Sequence, residues 1–301
     1  MKTQDSSKSN APGNCSAIEI LVGFGIGGGT DTFARTLAQG MRADMGTPVQ
    51  VVNITAGSGR GAFRELMKRP ADGCTLLALT SDYLVLEAIH GDEVDLGQLT
   101  LLARAHAELG LLSARGDAPA RWEDIVERAR QDNRRVLVGG TGAKSFDRTA
   151  VDITLGASDI AYRYIPYNGT KEMQADLLGG RLDAVYDEYG VMKPLYEAGV
   201  ATPLLVMSDT PLARLNTVPT ATALGLEAAP AIWRGIGIHA ETQETDKLRL
   251  AKATARALRS DAYVAYEKAR NLDLLEGRLD GPAFAHALAQ ERGAFQAALK
   301  G

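Results

Sequence analysis

The chain is 301 residues long with 33 basic and 37 acidic side chains, a net charge of −4. That length sets a prior of two domains at about 150 residues each, and the charge excludes the basic balance of a nucleic-acid binder. Apolar residues at 45% and charged residues at 23% provide for ordinary cores, and no apolar run is long enough to cross a membrane as a helix.

In chain order, residues 1–16 are polar and read as a disordered tail or the remnant of a processed signal. Ile18–Phe24 reads as a strand. Phe33, Leu37, Met41 and Met45 then recur every fourth residue, the spacing of one helix face. Val49–Val52 is a strand, Ala62, Leu66 and Met67 mark a helix, and Cys74–Leu79 is a third strand. Strand, helix, strand, helix, strand within about 60 residues is the pattern of right-handed crossovers in a parallel sheet. A second unit repeats it, with strands at Arg135–Val138, Tyr162–Tyr167, Leu182–Tyr186 and Pro203–Met207 and helices at Ser145–Leu155 and Lys171–Leu178. Leu101–Ala105 and Trp233–His239 read as extended segments that connect or complete the sheets. The end of the chain is helical, with Leu248, Ala251, Ala255 and Leu258 as one apolar face and Phe284, Leu288 and Phe295 as another.

Two cysteines, Cys15 and Cys74, fit either a single bridge or two free thiols, with Cys15 in the tail. The four histidines (His90, His106, His239, His286) lie far apart, without metal-ligand spacing. No metal and no cofactor is expected.

Glycine is in surplus: average usage of about 7% predicts roughly 21 in a chain this long, and there are 32. Three turns hold 11 of them: Gly23, Gly25, Gly27, Gly28 and Gly29; Gly57, Gly59 and Gly61; Gly139, Gly140 and Gly142. The first lies between a strand and a helix, and Gly23, Gly25 and Gly28 match the spacing of a dinucleotide-binding turn. A Rossmann-type NAD(P)-dependent oxidoreductase is therefore the alternative to weigh. It requires an acid at the end of the second strand to hold the ribose, and Asn53 stands there instead. No phosphate-binding P-loop, serine nucleophile elbow or cysteine–histidine pairing occurs. What remains is shared physics: a strand-to-helix turn rich in glycine exposes backbone N–H groups where the helix dipole favours an anion. The third turn, Gly139–Ser145, is a second such loop, and two at strand carboxyl ends point to a ligand between domains. A cation in such a turn, Lys144 or Arg60, is placed to meet a second carboxylate of the ligand.

The chain resembles the periplasmic solute receptors of tripartite tricarboxylate transporters, also called Bug receptors. The resemblance rests on Gly27-Gly28-Gly29-Thr30-Asp31, Pro48–Asn53 with Gly57-Ser58-Gly59, and Ala71-Asp72-Gly73-Cys74-Thr75-Leu76-Leu77. Gly140-Thr141-Gly142, Pro166-Tyr167-Asn168-Gly169, Gly179-Gly180-Arg181-Leu182-Asp183-Ala184, Val218-Pro219-Thr220 and Trp233-Arg234-Gly235 continue it. It departs at Cys74, Ala56, Ser58, Asn168 and Phe146-Asp147, where the family commonly has other residues. The resemblance implies an α/β type II periplasmic-binding fold: two domains, 17–103 with 225–301 and 104–224, joined by a hinge around a ligand cleft. It implies a monomer outside the cytoplasm that closes on a small di- or tricarboxylate, or a similar acid, without performing chemistry, and hands it to membrane transporter subunits. Carried onto this chain, the ligand-binding residues are Phe24, Ile26, Gly27, Gly28, Gly29, Thr30 and Asp31 in the first loop, and Gly140, Thr141, Gly142, Lys144 and Ser145 in the opposing one. Arg60, Thr80, Ser81, Tyr167, Asn168 and Asp187 complete the expected lining.

Overall fold

The computed structural model describes residues 15–118 and 121–298; most of the expected tail lies outside them. Its first strand, β1 (Ile18–Val22), is buried and leads into α1 (Gly29–Met45). The helix buries Phe33, Ala34, Leu37, Ala38 and Met41 as the four-residue spacing requires, and ends at Gly46, whose φ of 64° is the left-handed cap that glycine adopts freely. β2 (Val49–Asn53) and β3 (Thr75–Thr80) lie parallel to β1 on either side, with α2 (Arg60–Lys68) as the crossover between them. α3 (Asp82–Ile89) follows. β4 (Leu99–Glu108) completes the outward run of the chain in this sheet.

At Leu109 the chain passes to a second sheet, beginning with β5 (Gly110–Arg115) and α4 (Trp122–Gln131). Next come β6 (Val136–Thr141), α5 (Phe146–Gly156), β7 (Tyr162–Tyr167) and α6 (Thr170–Leu178). β8 (Ala184–Glu188), α7 (Tyr189–Glu197) and β9 (Ala201–Val206) close this unit. The return is made by β10 (Ile232–His239), α8 (Glu244–Ala257), α9 (Asp261–Arg270), the short β11 (Leu279–Asp280) and α10 (Gly281–Ala298). The strand orders are β11-β4-β10-β3-β1-β2 and β7-β6-β8-β5-β9. Each sheet thus has the same parallel core, with the first strand central (β2-β1-β3 and β7-β6-β8), extended by antiparallel strands from the crossing segments. The fold is a two-domain α/β architecture, and the loops after β1, β3, β6, β7 and β8 open at strand carboxyl ends, where such sheets bind ligands.

One open alternative is settled and one expectation changes. Cys15 and Cys74 form a disulfide that closes a separation of 59 residues. It ties the start of the described chain to the residue before β3, whose carbonyl also accepts from the Glu19 amide. The apolar face expected on α8 is its buried face only in part. Leu258 is buried, together with Leu250, Ala253, Thr254 and Ala257, whereas Ala251 and Ala255 are half-buried and Leu248 is 54% exposed. The reason is the long helix beside it: α1 presents Gly40, where a Cβ would stand 2.9 Å from that of Ala257, and this close packing rotates α8 so that Leu248, Ala251 and Ala255 border a groove against α10 instead. Phe284, Leu288 and Phe295 of α10 are buried as their spacing predicts.

Candidate functional site

The turn after β1 is held from within. The Asp31 carboxylate accepts from the Gly27 amide (2.9 Å), from Arg35 through two bonds (2.9 Å each) and from Asn53 Nδ2 (2.8 Å). Burial works against its charge, but these donors outweigh burial and hold the carboxyl below its usual range. Asn53 also donates to the Phe24 carbonyl at 3.0 Å. The side chain that stands where a dinucleotide enzyme carries its ribose-binding acid is therefore committed to shaping the turn. Asp31 faces inward, and α1 starts at Gly28, which has no side chain to cap with. Its first-turn N–H groups consequently lack an intrahelical acceptor. Phe24, Gly28, Gly29 and Thr30 line a cavity of about 350 Å³ between the two sheets. Gly27 and Asp31 do not line it, and Ile26 points away, 80% exposed.

The loop after β6 differs, and the expected equivalence of the two turns fails for a local reason. Several of its donors already have acceptors. Thr141 N and Oγ1 both donate to Asp147 Oδ2 (2.9 and 2.6 Å), Gly142 N donates to the Tyr167 carbonyl (2.8 Å), and Arg148 N donates to Ser145 Oγ (3.3 Å). The Phe146 amide at the first turn of α5 donates to Asp82 Oδ1 at 3.0 Å, a carboxylate that arrives from the other domain on α3. Gly140 serves packing, since a Cβ there would meet the Tyr164 hydroxyl at 2.4 Å. Gly23 likewise gives room to another turn, its Cβ position lying 2.5 Å from Gly59 Cα. The glycine surplus is thus divided between backbone that lines the cavity and backbone packed on protein.

A different helix start, from the second sheet, lines the same cavity. Asn168, Gly169 and Thr170 line the wall, and α6 begins at Gly169, again without a capping side chain. Of the remaining expected residues, Thr80, Thr141 and Asp187 line the cavity. Gly140, Gly142 and Ser145 lie outside it, as does exposed Lys144. Arg60 instead pairs with Glu93 (3.4 Å), Ser81 is fully buried and accepts from the Trp233 amide (2.8 Å), and Tyr167 donates to Asp176 (2.8 Å).

The deepest part of the site is ionic. Arg234 on β10 donates to Glu108 at the end of β4 and approaches Glu188 at the end of β8 at 3.5 Å, so one guanidinium joins carboxylates of both domains. Burial opposes its charge, but the two acids raise its affinity for the proton. Burial and the nearby Glu188 charge push the Asp147 carboxyl up to about 8, and burial, opposed by Arg234, brings Glu108 to about 7. Asp187 and Glu188 share one charge. Burial and the Glu188 carboxylate drive Asp187 well above the usual range, while Arg234 helps keep Glu188 ionised. Beneath them His106 is buried, hydrogen-bonded to the Tyr263 hydroxyl (2.9 Å) and kept neutral by burial and by Arg234 and Arg278. Among the described residues no three acidic, histidine or cysteine side chains converge as metal ligands, and no helix is long and apolar enough to cross a membrane.

Asp82, Glu108, Asp147, Glu188, Arg234 and Arg270 all line this cavity, and the sequence reading assigned a site role to none of them. Arg234 stood only within a matching motif. The available signal was position: Glu108 and Glu188 are the last residues of their strands.

The model of the family described as "Tripartite tricarboxylate transporter family receptor" matches residues 33–281. The protein BugT of Bordetella pertussis is 24% identical over 262 residues, covering 82% of this chain and 78% of its own. The structure described as R. palustris Rpa4515 with adipate superposes with a TM-score of 0.80 at 24% identity, covering 94% of this chain and 96% of that one. MatC (Rpa3494) from Rhodopseudomonas palustris, with bound malate, gives 0.77 at 21% identity over 94% and 98%.

Proposed function

The chain belongs to the tripartite tricarboxylate transporter receptor family, and from this premise we propose that it is an extracytoplasmic solute receptor. It holds a small carboxylic acid in the cleft between its domains and presents the closed complex to the membrane subunits of a tripartite tricarboxylate transporter. The observation that carries this reading is the opposition of two uncapped helix N-termini, α1 at Gly28 and α6 at Gly169, from different domains across one cavity. Each offers N–H groups and the positive end of a helix dipole, so a carboxylate bridging them satisfies both and draws the domains together. Gly28, Gly29 and Thr30 with Asn168, Gly169 and Thr170 are the residues assigned to it.

Other features agree. Structural neighbours carry adipate and malate, both small carboxylic acids. The Cys15–Cys74 disulfide fits an oxidising compartment. No step of chemistry is assigned to the cleft, and the oxidoreductase alternative is disfavoured because Asn53 is bound to Phe24 and Asp31.

The test is thermal denaturation in the presence of mono-, di- and tricarboxylates, amino acids, aromatic acids and a nicotinamide dinucleotide. At least one carboxylate raises the melting temperature and the dinucleotide does not. Protection by the dinucleotide alone overturns the proposal.

A further inference from the structure

Three points of the fold meet at one guanidinium. The chain crosses between the sheets at Leu109, and Arg234 pairs with an acid on each side of that crossing. Glu108 is the residue before it, and Glu188 lies in register with Gly110, the residue after it. The third point is the start of α1. A Cβ on Gly29 would stand 2.9 Å from Arg234 Cζ and 3.2 Å from its Nε, so the guanidinium lies in the space that the missing side chain leaves.

The two acids do not use all of its donors. The side chain lines the cavity, and Nε, buried beside Gly29, has no acceptor among the described residues. Native structures rarely leave such a donor unpartnered, and an acceptor arriving at the α1 N-terminus supplies its partner. Charge agrees. Burial keeps Asp147 and Asp187 in the neutral form, so the lasting charges at the floor of the cleft are those of Arg234 and Glu188. Resting on the reading of this cleft as a carboxylate site, we propose that Arg234 is the positioning residue that couples occupancy of the α1 N-terminus to the angle between the domains. Its Glu108 arm belongs to the first domain, and its Glu188 arm moves with the second. A carboxylate at Gly29 fixes the guanidinium between them and, with it, the closed position of the hinge. Loss of an arm speeds escape of the ligand and leaves its arrival unchanged, because closure follows encounter.

The test uses the whole chain with two substitutions. Glu188→Gln removes the charge of the second arm, and Arg234→Lys keeps a charge but loses the planar fork that holds two acids. Among the described residues Asp187 makes no ion pair with Arg234, so it does not replace the lost arm. Small-angle X-ray scattering follows the ligand-free proteins, and stopped-flow tryptophan fluorescence follows acetate, succinate, malate, adipate and citrate. In both variants the ligand-free radius of gyration exceeds that of the unaltered protein. The acid that binds best dissociates at least about ten-fold faster from them, with association within about two-fold. Unchanged dissociation in a variant that folds overturns the proposal and leaves the carboxylate receptor in place. Faster dissociation with an unchanged radius makes Arg234 a ligand contact alone and overturns the coupling. If none of these acids binds the unaltered protein, the carboxylate reading falls and the coupling with it.

Discussion

The Asp82 carboxylate of one domain accepts the Phe146 amide of the other at 3.0 Å, occupying the helix N-terminus that the glycine pattern marked for a ligand. Phe146 also packs against Phe295 of α10, with ring centroids 5.3 Å apart, so α5 is gripped across the domain boundary by a carboxyl group and by an aromatic ring. The protein supplies its own carboxyl acceptor at α5 and leaves α1 and α6 open.

Replacing that carboxyl group separates charge from hydrogen bonding. Asp82→Ala leaves the Phe146 amide without its acceptor and lowers stability by about 1–3 kcal/mol, the range for an unmade bond at a buried donor. Asp82→Asn retains an acceptor, and burial with the nearby Glu188 charge already disfavours the ionised form of Asp82, so its loss is smaller. Urea denaturation of both variants checks the order; equal losses would show that Asp82 contributes no specific bond.

At Gly28 the backbone is extended (φ −69°, ψ 169°), a conformation open to any residue, and a Cβ would lie 3.2 Å from the Gly25 carbonyl. Gly28→Val therefore folds, at a cost of about 1 kcal/mol for a poor N-cap. The added side chain stands in front of the α1 N-terminus and lowers carboxylate affinity at least about ten-fold. Calorimetric titration beside a melting curve distinguishes lost binding from lost fold, and unchanged affinity would remove α1 from the site.

The disulfide closes a long loop, for which a chain-entropy model gives about 4 kcal/mol. Reduction with a phosphine, or Cys15→Ser with Cys74→Ser, is expected to lower stability by about 2–4 kcal/mol. The double variant should be insensitive to reductant. A melting temperature independent of reductant in the unaltered protein would mean that the bridge does not hold the strand ends together.

Asp147 makes stability depend on pH with a definite sign. Its carboxyl titrates near 8 in the folded protein against an ordinary value of 3.8, so between those limits the folded state holds a proton that the unfolded state has released. Its contribution is fully present below about pH 4 and is lost as pH rises to about 8. The groups facing it are Thr141, Asp82, Glu188, Tyr164 and Tyr186. Asp147→Asn removes the charge while keeping an oxygen for Thr141, and it flattens the decline of ligand-free stability between pH 5 and pH 8. Denaturant midpoints at about pH 5, 6.5 and 8 measure it. An undiminished slope in the variant would place the titration elsewhere, Glu108 being the next group.

Much of the fold was legible locally. The spacing of Phe33, Leu37 and Met41 specifies α1, and the runs at Val49, Thr75 and Tyr162 specify strands whose parallel order follows from crossover length. β5 escaped because Gly-Leu-Leu-Ser-Ala-Arg has no alternation and is buried over its first five residues by neighbours on both sides. On α8 the apolar face was placed only in part, with Leu258 buried and Leu248 exposed, because small residues lie on two sides of the helix and the packing of α1 at Gly40 bears on Ala257.

The sequence by itself determined the two α/β units, the family, and the open N-terminus of α1, because periodicity, a run of glycines and the lack of a capping side chain are properties of contiguous residues. Tertiary structure alone decided which other helix start remains free, whether the two cysteines pair, and that acidic side chains of both domains line the cleft. Those depend on side chains such as Glu108 and Arg234, 126 residues apart, which meet because β10 returns to lie between β4 and β3. Electrostatics in the cleft is set by strand order, and no local window of sequence contains it.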